Sequence, residues 1–177
     1  MKSPDSETKL NTLLIKIQEE VNEEMKYAVG SQRNPKETST VAHSSLPDNG
    51  FNADLVVEPP SGRIESSALF NLLVKITNLS STAWPALGLD DGTYCICLSY
   101  HWLRLDGRMF IFDGLRTSLP YDMSPGAEIL LDAVIKAPYM SGNYILEVDM
   151  LQEGVTWFGA KGSKTPRTTI TIEPIIL

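Results

Sequence analysis

Tyr144-Ile145-Leu146-Glu147-Val148-Asp149-Met150 is the stretch on which the fold turns. In an extended chain, successive side chains point to opposite faces, so Tyr144, Leu146, Val148 and Met150 share one face while Glu147 and Asp149 share the other. Ile129-Leu130-Leu131-Asp132-Ala133-Val134-Ile135-Lys136 repeats the pattern. Ile129, Leu131, Ala133 and Ile135 fall on one side, and Leu130, Asp132, Val134 and Lys136 on the other. Each stretch is a strand with a core face.

Working outward, the same reading gives strands over 54–58, 69–78, 94–103, 108–112, 128–137, 143–152, 156–158 and 167–173. Turn-forming groups separate them: Pro59-Pro60-Ser61-Gly62, Asp90-Asp91-Gly92, Asp106-Gly107, Ser124-Pro125-Gly126, Ser141-Gly142-Asn143 and Lys161-Gly162-Ser163. Asp106-Gly107 has the chemistry of a tight hairpin turn. No helix of useful length lies among the strands, which argues against a parallel α/β sheet. The expected fold of residues 53–177 is all-β: an antiparallel β-sandwich of immunoglobulin-like or jelly-roll type.

Before residue 53 the period is different. Leu10, Leu14, Ile17, Val21 and Ala28 recur at helical spacings, with Ser3-Pro4 suited to a helix start and Gly30 to its stop. Glu19, Glu20, Glu23, Glu24 and Lys26 occupy the other face. An amphipathic helix is expected over 1–29. Its apolar stripe fits the sandwich of its own chain, a second copy in a short coiled-coil homodimer, or another protein. Residues 30–52 are rich in Ser, Thr, Asn and Pro and read as a flexible linker.

The chain has 177 residues and a formal net charge of −7, with a pI near 4.8. An acidic balance argues against a nucleic-acid partner, which needs clustered Lys and Arg. No apolar run approaches the roughly 20 residues that span a bilayer, so no membrane insertion is expected. Cys95 and Cys97 are the two cysteines. One residue apart, they offer no disulfide framework, and a cytoplasmic location is expected.

Reactive chemistry is hard to build from these residues. The histidines are His43 and His101, too few for a cupin-type metal site. No Gly-x-Ser-x-Gly elbow or phosphate-binding glycine loop is present. Cys97 and His101 lie roughly 13 Å apart along a strand, beyond proton-transfer reach. Asp90-Asp91-Gly92 is the best calcium candidate, although the same residues make a turn. No catalytic residue, metal or cofactor is expected.

What remains is aromatic and polar: Tyr100, His101 and Trp102 on one strand, Arg116, the pair Gln152 and Glu153, and Trp157. Aromatic faces beside carboxylates, amides and a guanidinium suit a sugar ring and its hydroxyls. Ring stacking falls to Trp102 or Trp157, and hydrogen bonding to Arg116, Gln152 and Glu153. Tyr100 and Trp102 suit a sandwich core better than a surface, and Arg116 equally suits internal pairing with Asp113, Asp149 or Glu153. His101 is placed at an exposed or rim position.

Leu98-Ser99-Tyr100-His101-Trp102-Leu103, Asp113-Gly114-Leu115-Arg116-Thr117-Ser118-Leu119-Pro120 and Asp149-Met150-Leu151-Gln152-Glu153-Gly154-Val155-Thr156-Trp157-Phe158 together resemble a known module. The series is similar to the C-terminal polysaccharide-binding domain of O-antigen ABC-exporter ATPase subunits, and to bacterial modules attached to glycan-assembly enzymes. The resemblance covers roughly residues 53–173. It implies a non-catalytic module whose partner is a surface-polysaccharide end or a glycan-assembly protein. The ATPase half has no counterpart, since no Walker motif occurs. A protein–protein adaptor docking through the N-terminal helix or a sheet edge is the alternative.

Overall fold

The computed structural model describes residues 43–175. The helix expected over 1–29 and the expected linker before residue 43 lie outside the described residues. Ten strands are present: β1 (Ala53–Val57), β2 (Ile64–Glu65), β3 (Leu69–Asn78), β4 (Ile96–Arg104), β5 (Met109–Ile111), β6 (Thr117–Ser118), β7 (Glu128–Lys136), β8 (Gly142–Gln152), β9 (Thr156–Trp157) and β10 (Arg167–Glu173). Among the described residues, no helix is long and apolar enough to cross a membrane.

The strands form two sheets. The smaller has the order β1-β3-β7, and the larger β2-β10-β8-β4-β5, with β6 on β4 and β9 on β8. β2 runs parallel to β10, and every other pairing among the described residues is antiparallel. In chain order, β1, β3 and β7 take the places of strands A, B and E of an immunoglobulin-like sandwich, and β4, β8 and β10 those of C, F and G. Two further marks of that architecture are present. Trp102 is fully buried on β4, and the Tyr144 hydroxyl, near the start of β8, donates to Met140 O at 3.1 Å.

The core is built by the alternation. From the smaller sheet come Leu72, Val74 and Ile76 on β3 and Leu131, Ala133 and Ile135 on β7. Facing them are Leu98, Tyr100 and Trp102 on β4, Leu146, Val148 and Met150 on β8, and Ile170 and Ile172 on β10. Each large apolar side chain so buried contributes about 1.5–3 kcal/mol. On β7 the outward residues are exposed, as the alternation requires. β4 is different: its first eight residues are buried, because other chain segments cover its second face.

Residues 43–52 correct the sequence reading. They were expected to be linker, yet Leu46 and Phe51 are buried in the core. Phe51 packs edge-on against Phe158 with ring centroids 5.2 Å apart. Trp84 Nε1 donates to Gly50 O at 2.9 Å. The polar composition of this stretch conceals two apolar anchors and a backbone carbonyl that a core indole uses. The packed body therefore starts before residue 53.

The turns follow their chemistry. Gly107 sits at φ +83°, where a side chain is strained. Its N–H donates to Arg104 O at 2.9 Å, and Arg104 N–H donates to Arg108 O at 2.8 Å, closing the β4–β5 hairpin. Asp91 Oδ1 accepts the Thr93 N–H at 2.9 Å, so Asp90-Asp91-Gly92 is stitched as a turn.

Candidate functional site

On the outer face of the larger sheet, β4 contributes Cys97, Ser99 and His101, and β8 contributes Glu147 and Asp149. Ser99 lies opposite Asp149 and His101 opposite Glu147. Two chain segments fold over this face. Residues 112–118 lead from β5 into β6, and residues 156–165 lead out of β9. The first can approach because Gly114 has no side chain: a Cβ there would stand 2.6 Å from Tyr100 O.

Beneath these segments lies His101, only 5% exposed. The expectation of a rim position is corrected: the residue faces outward from the sheet but is roofed by other chain. Its Nδ1 meets Phe112 O, and its Nε2 lies 3.8 Å from Asp149 Oδ2. The imidazole stacks on Phe112 with centroids 5.0 Å apart and leans on Trp157 at 4.2 Å. Burial pushes His101 down. The Asp149 carboxylate, the Phe112 carbonyl and the charge on Glu147 outweigh it, and the net direction is up from the ordinary 6.5. Asp149 is also raised, by burial, against His101 and the N–H groups of Gly159 and Met150.

Arg116 lies beside this group with 29% of its side chain exposed. Its Nε donates to Glu153 Oε1 at 2.6 Å. Its Nη1 reaches Asp113 Oδ1 at 2.5 Å, Gly114 O at 2.8 Å and Ser99 Oγ at 3.2 Å. The guanidinium carbon lies 5.2 Å from the Trp157 ring centroid, a cation–π distance. Cys95 Sγ and Cys97 Sγ are 3.7 Å apart nearby. Burial first, then the neighbouring thiol and Glu153, push Cys97 up to about 12.

The seven expected site residues therefore divide. His101, Arg116, Glu153 and Trp157 are brought together. Tyr100 and Trp102 are 2% and 0% exposed between the sheets, so neither can offer a ring face to a ligand, and the stacking role expected for Trp102 is corrected. Their polar tips bond the opposite sheet: Lys136 N–H donates to the Tyr100 hydroxyl, and Trp102 Nε1 donates to Lys136 O. Gln152 is also buried. Its Oε1 accepts the Leu46 N–H and its Nε2 donates to Ser44 O and Tyr94 O, tying residues 44–46 to the end of β8.

The structure adds two surface residues that the sequence reading left out. Phe112 is 55% exposed, with its ring 5.5 Å from Trp157. Asp113, named before as an internal partner for Arg116, leaves 65% of its side chain exposed. Phe112 directly precedes the Asp113–Arg116 run. Its membership of a site depends on the bend that brings it over His101, which no local pattern announces. Shallow clefts of about 180 and 420 Å³ lie elsewhere, lined by residues such as Arg63 and Thr169 or His43 and Asp91.

Chemically the surface is a receiver. Both His101 nitrogens have partners, and Arg116 is held by two carboxylates. The Asp113 side chain and the Phe112 ring are exposed, and Glu153 and Trp157 are partly so. That combination suits a ligand with hydroxyl donors and a weakly polar C–H face.

No family model matches the chain, and no curated protein matches it. Solved structures similar to it include the CARDB domain of a Pyrococcus furiosus protein, at 14% identity and TM-score 0.39, covering 68% of this chain and 95% of that one. The C-terminal domain of Wzt is similar at 13% identity and TM-score 0.40, covering 71% and 75%. An ASH/PapD-like domain of human CEP192 is similar at 11% identity and TM-score 0.31, covering 79% and 96%. By its own strand order, register and core, residues 43–175 form an immunoglobulin-like β-sandwich. Its most elaborated surface is the roofed outer face around Arg116.

Proposed function

We propose that this chain is a non-catalytic recognition module that binds carbohydrate on the surface formed by Phe112, Asp113, Arg116, Glu153 and Trp157. The observation that carries the reading is the packing of the exposed Phe112 ring and the partly buried Trp157 ring against one histidine, beside two carboxylates held by one guanidinium. The arrangement is fixed before any ligand arrives, which reduces the ordering cost of binding. Phe112 is the better stacking ring. His101 and the Arg116 guanidinium both pack against Trp157, whereas Phe112 uses one face on His101 and is the more exposed of the two rings. Asp113 and Glu153 accept hydroxyl donors, and Arg116 holds them in place. In this reading the ligand is a hydroxyl-rich glycan, in keeping with the resemblance to polysaccharide-binding modules.

A bacterial glycan array followed by calorimetric titration tests the proposal. Phe112→Ala and Arg116→Ala are each expected to weaken a detected interaction at least tenfold, while Tyr139→Ala, at an unrelated exposed ring, leaves it unchanged. No interaction with any glycan, or equal affinity in all variants, contradicts it.

A further inference from the structure

The smaller sheet ends on β7, a nine-residue strand whose pairing among the described residues is with β3. Ala137 N–H donates to Ala68 O at 2.8 Å. The alternation of an antiparallel ladder then turns the backbone groups of odd-numbered β7 residues toward β3 and those of even-numbered residues outward. Lys136 obeys this parity, since its N–H and C=O are met by Tyr100 and Trp102 of the other sheet. Leu130, Asp132 and Val134 turn theirs to the edge away from β3, which pairs with no strand among the described residues. Sheet edges are commonly blunted by proline, a bulge or shortness. β7 contains no proline and keeps one register with β3 over its whole length.

The outer face of the strand reads Glu128, Leu130, Asp132, Val134, Lys136, with Leu130 59% and Val134 41% exposed. This order is self-complementary. When the strand meets a copy of itself antiparallel and centred on Asp132, Glu128 opposes Lys136 and Leu130 opposes Val134. The same centring puts the outward-facing backbone groups of Leu130, Asp132 and Val134 opposite those of the copy, so these residues can exchange N–H and C=O, while the groups of Lys136 stay with Tyr100 and Trp102. Asp132 meets its own equivalent, a like-charge repulsion. Asn71 Nδ2, donating to Asp132 Oδ2 at 2.7 Å, tempers it.

We propose that β7 is a self-association edge, pairing antiparallel with β7 of a second copy about a two-fold axis and joining the two smaller sheets into one. The occupant is a second copy because the complementarity is internal to one strand, as an isologous contact requires.

Sedimentation equilibrium of the full chain from low micromolar to millimolar concentration tests the pairing. The expected result is a monomer–dimer equilibrium. Val134→Pro removes an N–H that the β3 ladder does not use, a position where an edge strand tolerates proline. It is expected to weaken the dimer about tenfold or more, since two symmetric hydrogen bonds are lost. Asp132→Asn removes the like-charge pair and is expected to tighten the dimer about threefold. If circular dichroism shows Val134→Pro to be unfolded, Val134→Lys takes its place with the same expected loss. A full chain that stays monomeric throughout overturns the proposal. So does a dimer indifferent to these substitutions, which is the result expected from association through residues 1–29.

Discussion

The Tyr100 hydroxyl accepts a 2.8 Å hydrogen bond from the backbone N–H of Lys136 on the opposite sheet. Two residues further along β4, Trp102 Nε1 donates to the carbonyl of the same Lys136 at 3.0 Å. Two aromatic side chains of one sheet thus satisfy both backbone groups at the last residue of β7, where the ladder with β3 ends. The pair fastens the two layers at that end of β7.

Removing the oxygen isolates this contribution. Tyr100→Phe leaves the ring in place and strands the Lys136 N–H, which is expected to cost about 1–2 kcal/mol in urea denaturation. Trp102→Ala opens a cavity as well and is expected to cost about 3–5 kcal/mol. Glycan binding by folded Tyr100→Phe is expected to be unchanged. A loss of binding with full stability would return Tyr100 to the ligand surface.

His101 makes stability depend on pH. Its pKa in the fold lies above the ordinary 6.5, so the folded state holds this proton more tightly than the unfolded chain. Its contribution is fully present below about 6.5 and is lost as pH rises through the raised value. Asp149, raised by burial from 3.8, acts in the same direction, beginning at lower pH. Melting temperature is therefore expected to fall as pH rises above 6.5, and His101→Gln is expected to flatten that slope. An unchanged slope in the variant would show that the imidazole is not the group responsible.

Gln152 fastens the chain that leads into the sandwich. Three hydrogen bonds, to Leu46 N, Ser44 O and Tyr94 O, depend on its amide. Gln152→Ala is expected to release residues 43–46, with faster hydrogen exchange at the Leu46 amide and a global loss of about 1–3 kcal/mol. Protection at Leu46 equal to that of the native chain would mean that the apolar anchors alone hold the segment.

The two cysteines are expected to react differently. Cys97 is buried, with its thiol pushed up to about 12, and thiolate is the reactive form. At pH 8, iodoacetamide is expected to label Cys95, which is partly exposed, well before Cys97 in the folded chain. Equal rates at the two positions would contradict the burial of Cys97.

The strands were legible where one face is wet. Leu69–Asn78 and Arg167–Glu173 match the sequence reading at both ends, and the outward residues of β7 are exposed as their alternation demands. Legibility failed where a face is covered by distant chain. His101 reads as a rim residue because nothing local marks residues 112–118 and 156–165 as its roof. Ile64–Glu65 and Thr117–Ser118 are two-residue strands, too short for any period to show. Leu46 and Phe51 were hidden in a polar stretch, since two anchors spaced by turn residues have no periodicity. In the site, the Arg116 pairing was among the readings held open and is present with Asp113 and Glu153. The choice between Trp102 and Trp157 as a surface ring needed three-dimensional burial.

The three indole N–H groups provide the most direct test of recognition at the Arg116 surface. Trp84 Nε1 and Trp102 Nε1 are bonded to backbone carbonyl oxygens, and both side chains are fully buried, while Trp157 is part of the proposed surface. In a two-dimensional NMR titration with a glycan hit, the Trp157 indole signal is predicted to shift progressively while those of Trp84 and Trp102 hold still. A saturating titration in which Trp157 does not move, or moves no more than the two buried indoles, contradicts the account.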